Sequence, residues 1–169
     1  KICHLVLCIF LALMPIIGIL WILSVPDYFE MGLVSEQVIV LVLGLATGAA
    51  ILKHPYGEKA GVLELVLAIL AAGAWFWMSF NLQQWYYDMA ERPPRMWVPG
   101  VFAILLMMEG IRKAAGGIIA GLVWVMLIYG FFGNVLPGAL EAEVFPPTKT
   151  IVHLYADPNG IPGLVLRIV

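Results

Sequence analysis

The residues that could do chemistry in this chain are few, and their spacing suits no catalytic or metal site. His4, His54 and His153 are far apart in the sequence, and Cys3 and Cys8 are five residues apart, so no Cys/His cluster has metal-ligand spacing. The sequence contains neither the Gly-x-Ser-x-Gly motif of a nucleophilic serine nor a Gly-rich phosphate loop. We therefore expect no catalytic residue, no metal and no cofactor, and we do not expect an enzyme.

Charged residues within apolar stretches are the remaining candidates, because ionisable groups inside a bilayer usually mark a transport or proton path. Glu64 is the clearest of them, and we expect it to pair locally with Lys59 or Lys53 rather than to carry ions. Glu109 can form ion pairs with Arg112 and Lys113, which lie three and four residues further along. Such pairs would let a second helix extend beyond the bilayer with its charged residues.

The composition indicates an integral membrane protein. Of the 169 residues, 63% are hydrophobic and 12% are charged, whereas soluble domains are roughly 45–50% apolar and about 25% charged. A soluble fold of this size could not bury so much apolar surface. This excludes a soluble enzyme domain and a disordered regulator. The net charge of −2 gives no reason to expect a nucleic acid as partner.

Apolar segments long enough to be transmembrane helices follow one another along the chain, since a span needs about 20 residues. The first is too long for the core of a signal peptide, which has about 7–15 residues, and we interpret it as a retained helix. The sequence predicts an all-α membrane protein with about five transmembrane helices and a short C-terminal interfacial segment at residues 148–156. The five segments are residues 2–23, 38–52, 61–80, 96–108 continuing to 113, and 117–132.

The loops predict the orientation through the positive-inside rule. Basic residues at Lys53, Lys59, Arg112 and Lys113 alternate with a loop at 24–36 that has no Lys or Arg. The N-terminus is then cytoplasmic, and the connections at 24–36, 81–95 and 134–150 lie outside. Aromatic residues near the outer end of the third segment are expected to form a belt at the membrane interface: Trp75, Trp77, Trp85, Tyr86, Tyr87 and Trp97.

Small residues at four-residue spacing predict close helix packing, because they let two helices approach in lipid. The middles of the five segments are otherwise apolar, so the sequence offers no polar groups to hold a solute as a secondary transporter would. We therefore expect a chain that packs against other helices and does not transport alone. The packing candidates are Gly44 with Gly48, Gly117 with Gly121, and Ala68 with Ala72.

The stretch from Ile104 to Gly116 is an apolar run followed by Glu109, two basic residues and a glycine. It resembles the small-permease region of TRAP (tripartite ATP-independent periplasmic) transporters, in particular their TAXI-type, fused-permease branch. The resemblance is clearest over residues 92–163. Further short matches follow in the order expected for that branch: Tyr129 to Gly133, Leu136 to Gly138, Ile151 to Tyr155 and Gly160 to Gly163.

The resemblance implies a division of the chain into three parts. Residues 1–115 would be the four-helix small-subunit domain, residues 116–135 a connector transmembrane helix, and residues 136–169 an outer loop with an interfacial segment. Two features depart from the family pattern. Lys113 replaces the second arginine, and the sequence stops at Val169, where a fused permease would continue. The chain would be either a separate small subunit or one piece of a longer polypeptide.

The function implied by the resemblance is that of a scaffold in the bacterial inner membrane. The large permease subunit would move an organic acid by an elevator motion driven by an ion gradient, and a periplasmic binding protein would deliver it. The partners are then the large subunit, the binding protein and membrane lipids. Charged residues of the outer loops are candidates for contact with the binding protein: Asp27, Glu30, Asp88, Glu91, Arg92 and Arg95.

Other functions stay open at this stage. The chain could be the accessory small subunit of another tripartite carboxylate transporter, or a stand-alone transporter or channel that works as a homo-oligomer. A membrane redox subunit would need paired histidines on facing helices, and the positions of the three histidines do not supply them.

Overall fold

The computed structural model of the chain describes residues 2–30, 32–58, 60–135, 141, 143 and 145–165. Within these residues the protein is all-helical and contains no strand. A 3-10 turn at Gly133–Val135 and a π-turn at Ile161–Val165 accompany the α-helices. The helices are α1 (Ile2–Ile22), α2 (Val25–Tyr28), α3 (Ser35–Lys53), α4 (Val62–Asp88), α5 (Pro94–Ala115), α6 (Gly117–Phe132) and α7 (Pro147–Ala156).

Four helices in the described part of the chain are long and apolar enough to cross a membrane. They are α1, α3, α4 and the stretch that α6 forms with the following 3-10 turn, with mean hydropathies of 2.9, 1.8, 1.9 and 2.0. This finding supports the predicted all-α, multi-pass membrane protein. Helix α5 has 22 residues, which is a similar length, but it is not one of the four helices apolar enough to cross a membrane. It carries Arg95 near its start and Glu109, Arg112 and Lys113 near its end.

The helix boundaries follow the local sequence. Helix α3 begins three residues before the predicted segment because the Gln37 side chain accepts a hydrogen bond from the backbone N–H of Val34, at 3.0 Å. Helix α4 continues beyond the predicted segment to Asp88 and thus includes the polar, aromatic stretch after it. Pro93 and Pro94 end the connection to α5, and Pro94 is the first residue of that helix, a position that proline tolerates.

The connections between helices gather at two opposite ends of the bundle. At one end, which we call the junction end, Cys3 Sγ lies 3.4 Å from the carbonyl oxygen of Gly61, and Tyr56 contacts Glu109. At the other end, the outer end of the sequence prediction, the Gln83 side chain donates to the carbonyl oxygen of Gly32 at 2.6 Å. Two of the groupings expected from the sequence are therefore present: Tyr56 lies beside Glu109, and Gly32 lies beside Gln83.

Helices α3 and α4 pack most closely, and their small residues meet. A Cβ added at Gly44 would lie 2.9 Å from Trp75 Cβ and 3.3 Å from the carbonyl oxygen of Ala72. A Cβ added at Gly48 would lie 3.0 Å from the carbonyl oxygen of Ala68 and 2.5 Å from the ring of Phe10. The two glycines thus bring the backbones of antiparallel helices together at two successive turns. Helix α1 packs on the same face of α3 through Phe10.

Helix α7 packs into the bundle and does not merely lie at its surface. Its Val152, Tyr155 and Ala156 are buried, and Tyr155 is fully enclosed. The phenol donates a hydrogen bond to the carbonyl oxygen of Ala74 on α4. On the other side Gly100 of α5 makes room for the ring, since an added Cβ there would lie 2.9 Å from Tyr155 Cδ1. The segment at residues 148–156, predicted to be interfacial, is therefore a helical part of the core.

The predicted aromatic belt is wrong for two of its members. Trp75 is 0% exposed and Trp85 is 1% exposed, so both lie inside the bundle and not at an interface. Their rings surround Tyr155, with centroids 5.3 Å and 5.9 Å from it. Trp77 and Tyr87 are 50% and 89% exposed, as residues facing lipid headgroups would be.

Candidate functional site

Among the described residues, a cluster of charged and polar side chains lies at the junction end, where the loop after α3 meets α4 and α5. We call it the junction cluster, and it consists of Tyr56, Glu64, Glu109, Arg112 and Lys113. Glu109 is its centre. Both of its oxygens accept hydrogen bonds from Arg112, at 2.7 and 2.8 Å, which is a bidentate pair at three-residue spacing. The phenol of Tyr56 donates to the same carboxylate.

Glu64 is buried at the start of α4, at 5% exposure, and its partners are backbone groups. One carboxylate oxygen accepts the N–H of Gly61 at 2.8 Å and the other accepts the N–H of Tyr56 at 3.0 Å. The predicted ion pair with Lys53 does not form in the described part of the chain, because Lys53 is exposed at the end of α3. Lys59 lies outside the described residues. Glu64 thus fixes the loop and begins the helix.

Lys113 and Tyr56 link α5 to the same loop. The Lys113 ammonium lies 3.5 Å from the centroid of the Tyr56 ring, and Arg112 Cζ lies 5.9 Å from it. Lys113 Nζ is buried and has no hydrogen-bond partner among the described residues. The hydrogen bond to Glu109, followed by desolvation and the nearby negative charge, raises the pKa of Tyr56 above its ordinary value of 10.0.

The junction cluster joins three segments of the chain through opposite charges. Two carboxylates and two basic groups face one another around one aromatic ring, so charge at this end of the bundle is neutralised locally. Each carboxylate oxygen already accepts a hydrogen bond from the protein. The arrangement suits a structural connection between loop and helices better than proton transfer, which needs an acceptor open to a reacting group.

A buried polar network at the outer end joins α3 and α4, and the sequence analysis missed it. The Gln37 side chain donates to the carbonyl oxygen of Ser79 at 2.7 Å, and Ser79 Oγ donates to the carbonyl oxygen of Gln37 at 2.9 Å. Gln83 adds a bond to Gln37 Oε1 at 3.2 Å. The available signal was a glutamine near the start of α3 and a serine within the apolar part of α4, because buried polar side chains must find partners in lipid.

The charged residues of the outer end lie at two separate connections. Asp27 in α2 and Glu30 after it are exposed, while Asp88 at the end of α4 forms an ion pair with Arg95 of α5. The remaining two follow α4: Glu91 is exposed and Arg92 lines a cavity.

The second glycine pair faces away from the rest of the bundle. A Cβ added at Gly117 or at Gly121 would meet nothing within 4 Å in the described chain, and both residues are exposed on α6. Helix α6 buries only Ala120. Its surface is therefore available to lipid or to another protein.

The described residues contain no group of three His, Cys, Asp or Glu side chains placed to hold a metal ion. The nearest approach between such groups on α1 is that of His4 Nδ1 and Cys8 Sγ, at 3.6 Å.

Comparison with protein-family models, with curated proteins and with solved structures gives no match to this chain.

Proposed function

We propose that this chain is the small permease subunit, or small-permease region, of a TRAP transporter of the TAXI-type, fused-permease branch. It acts there as a scaffold for the large elevator-type subunit. That subunit uses an ion gradient to take up organic acids, which a periplasmic binding protein delivers. The resemblance over residues 92–163 supplies the family. The packing of the bundle supports the role.

The observation that carries the proposal is the contact between α3 and α4. A Cβ added at Gly44 or Gly48 would lie only 2.9–3.3 Å from atoms of α4, so the two helices leave no room for a solute between them. The buried Gln37 and Ser79 hydrogen-bond across the same interface. Secondary transporters need polar groups and broken helices free to hold a substrate near the bilayer midplane. A closed interface is instead suited to a rigid support.

The exposed surface of the bundle supports the same role. Helix α1 buries none of its residues, and α6 buries only Ala120. These apolar surfaces would contact lipid and the large subunit. In this proposal α5 is the fifth span, with its end charges at the two membrane surfaces, and α6 is the connector helix that returns the chain to the outer side.

The proposal places the protein in the bacterial inner membrane with the junction end in the cytoplasm. The outer end then faces the periplasm, where the binding protein would dock. The exposed acidic residues Asp27, Glu30 and Glu91, together with Arg92 and the Asp88–Arg95 pair, are the residues available to it. We expect charge reversal at these positions to weaken docking and slow uptake.

Purification from native membranes tests the proposal directly. An affinity tag placed in the exposed turn at Gly57 and Glu58 would recover the chain in mild detergent, and mass spectrometry would identify what accompanies it. A copurifying permease of roughly twelve helices, or the same permease fused in one polypeptide, is the expected result. Reconstitution of the chain alone in proteoliposomes should give no uptake of an organic acid.

Two outcomes would contradict it. Uptake by the chain alone would favour the stand-alone homo-oligomeric transporter. Copurification with the large subunit of a different tripartite carboxylate transporter would keep the accessory role and change the family.

A further inference from the structure

A cavity of about 390 Å³ opens at the outer end, where α4, α6 and α7 meet. We call it the basic cavity. Its wall includes Arg92, which follows the end of α4, and Lys149 and His153 from one face of α7. Asp157 and Gly130 also line it. The cavity lies level with the ends of two apolar helices. A membrane surface would therefore pass close to it.

The charges around the basic cavity leave an excess of positive charge. His153 Nδ1 lies 3.0 Å from Asp157 Oδ2, so the acidic group already has a partner. Within the described ranges, neither Arg92 nor Lys149 forms an ion pair. The Lys149 ammonium lies 3.6 Å from the centroid of the Phe145 ring, and this cation–π contact holds it beside the cavity. Arg92 and Lys149 outnumber the single carboxylate of the wall, that of Asp157, and would attract an anion.

A second cavity, also of about 390 Å³, continues from the first between α5, α6 and α7. The two share Gly130, Thr150 and His153. Beyond these residues the lining is apolar and includes Met107 and Met108, which lie toward the junction end of α5. We call this second cavity the apolar groove. A basic opening at the membrane surface therefore leads into an apolar groove that extends along the helices.

We propose that these two cavities together bind one anionic phospholipid. The phosphate diester would lie between Arg92 and Lys149, and an acyl chain would fill the apolar groove past Gly130. A soluble phosphate compound would use the charges but leave the groove empty, whereas a lipid satisfies both. The inference requires only that these helices lie in a membrane, so it is independent of the transporter assignment.

Native mass spectrometry of the full chain in detergent tests the charge requirement, with phosphatidylglycerol and phosphatidylcholine of identical acyl chains as probes. We expect one phosphatidylglycerol to be retained in preference to phosphatidylcholine. Arg92→Gly and Lys149→Gln should each weaken retention about fivefold, the equivalent of about 1 kcal/mol per basic residue near an anionic lipid surface. Lys53→Gln, at an exposed site on the opposite end, is the matched control and should retain the lipid.

Arg92→Gly also separates lipid binding from folding. Arg92 has a φ of 48°, a left-handed conformation that glycine adopts without the steric cost of a side chain. The variant should therefore unfold at a temperature no lower than the parent, measured in a detergent without added lipid. A loss of lipid retention with stability kept would support the assigned role of the guanidinium.

A substitution that fills the apolar groove tests the proposed position of the acyl chain. Gly130→Leu places a side chain where an added Cβ meets nothing within 4 Å, and Gly121→Leu does the same on α6 outside both cavities. We expect Gly130→Leu to lower retention at least fivefold and Gly121→Leu to leave it unchanged. Glycerol phosphate should not displace the lipid.

Three results would overturn the inference: equal retention of both lipids, full retention by Gly130→Leu, or displacement by glycerol phosphate at equal concentration. The last would indicate a site for a soluble phosphate compound.

Discussion

The phenol of Tyr155 donates a hydrogen bond to the backbone carbonyl of Ala74, which lies 81 positions earlier in the sequence. This contact fastens a ten-residue helix to the middle of a 27-residue one. Carbonyl groups within a helix normally bond only to their own helix, so a phenol that reaches one from outside needs a close approach. Gly100 permits that approach from the opposite side. The pair therefore holds α7 against α4.

Removal of the Tyr155 side chain should destabilise the bundle strongly. Tyr155→Ala would empty a fully enclosed site, for which aromatic-to-alanine changes cost about 3–5 kcal/mol. Tyr155→Phe keeps the ring and should cost about 0.5–1.5 kcal/mol, the value of one hydrogen bond. Unfolding in detergent by added denaturing surfactant measures both. Tyr87→Ala, at a site 89% exposed, is the control, and equal losses at the two positions would contradict the buried role.

A larger side chain at Gly48 should separate α3 from α4. Gly48→Leu must push against the carbonyl oxygen of Ala68 and the ring of Phe10, and overpacking of this kind costs about 1–3 kcal/mol. Gly121→Leu makes the same substitution on an open helix face. The free energy of unfolding should fall for the first variant only. An unchanged value for Gly48→Leu would show that the helices do not meet there.

The hydrogen bond between the Gln37 and Gln83 side chains predicts a measurable coupling between α3 and α4. In a double-mutant cycle with Gln37→Ala and Gln83→Ala, we expect a coupling free energy of about 0.6 kcal/mol, typical of hydrogen bonds between membrane helices. The cycle is read from unfolding in detergent. Strict additivity of the two substitutions would mean that the side chains act separately.

Tyr56 should keep its proton to unusually alkaline pH. Its bond to Glu109 raises the pKa above 10.0, so the neutral phenol is favoured in the folded state. The resulting stability is fully present below the ordinary tyrosine pKa and is lost as pH rises through the raised one. The difference in absorbance at 295 nm between the parent and Tyr56→Phe isolates this residue. Glu109→Gln should move its midpoint downward, and an unmoved midpoint would contradict the assigned cause.

The orientation of the chain can be read from labelling of intact cells. With Cys3 and Cys8 replaced by alanine, single cysteines would be placed at Glu58 and Glu91, both exposed and at opposite ends of the bundle. A membrane-impermeant maleimide should label the cysteine at position 91 and not the one at 58. The reverse pattern would place the N-terminus outside and overturn the positive-inside assignment.

The helices could be predicted from the sequence because their apolar runs are long and their ends are marked. The predicted residues 117–132 coincide with α6, which begins after Gly116. The N-terminus of α4 could also have been predicted from the sequence. Glu64 stands three residues after Gly61, the spacing at which a carboxylate accepts the backbone N–H that begins a helix. That local pattern outweighs the ion pair with a lysine that the sequence analysis expected.

Contacts between distant segments could not be predicted in the same way. The burial of Trp75 and Trp85 depends on Tyr155, which arrives from a helix much later in the chain. The meeting of Tyr56 with Glu109 depends on how α5 is placed against the loop after α3. The spacing of residues within one helix contains no information on either. Small residues such as Gly44 and Gly48 indicate that a close contact exists but not which helix makes it.

The close contact between α3 and α4 has a consequence for biosynthesis. The loop between them is short, and their glycines and alanines are already in register once both have entered the bilayer. The pair can therefore assemble as a helical hairpin while the ribosome is still translating α5. Later helices would then pack against two helices that are already in contact.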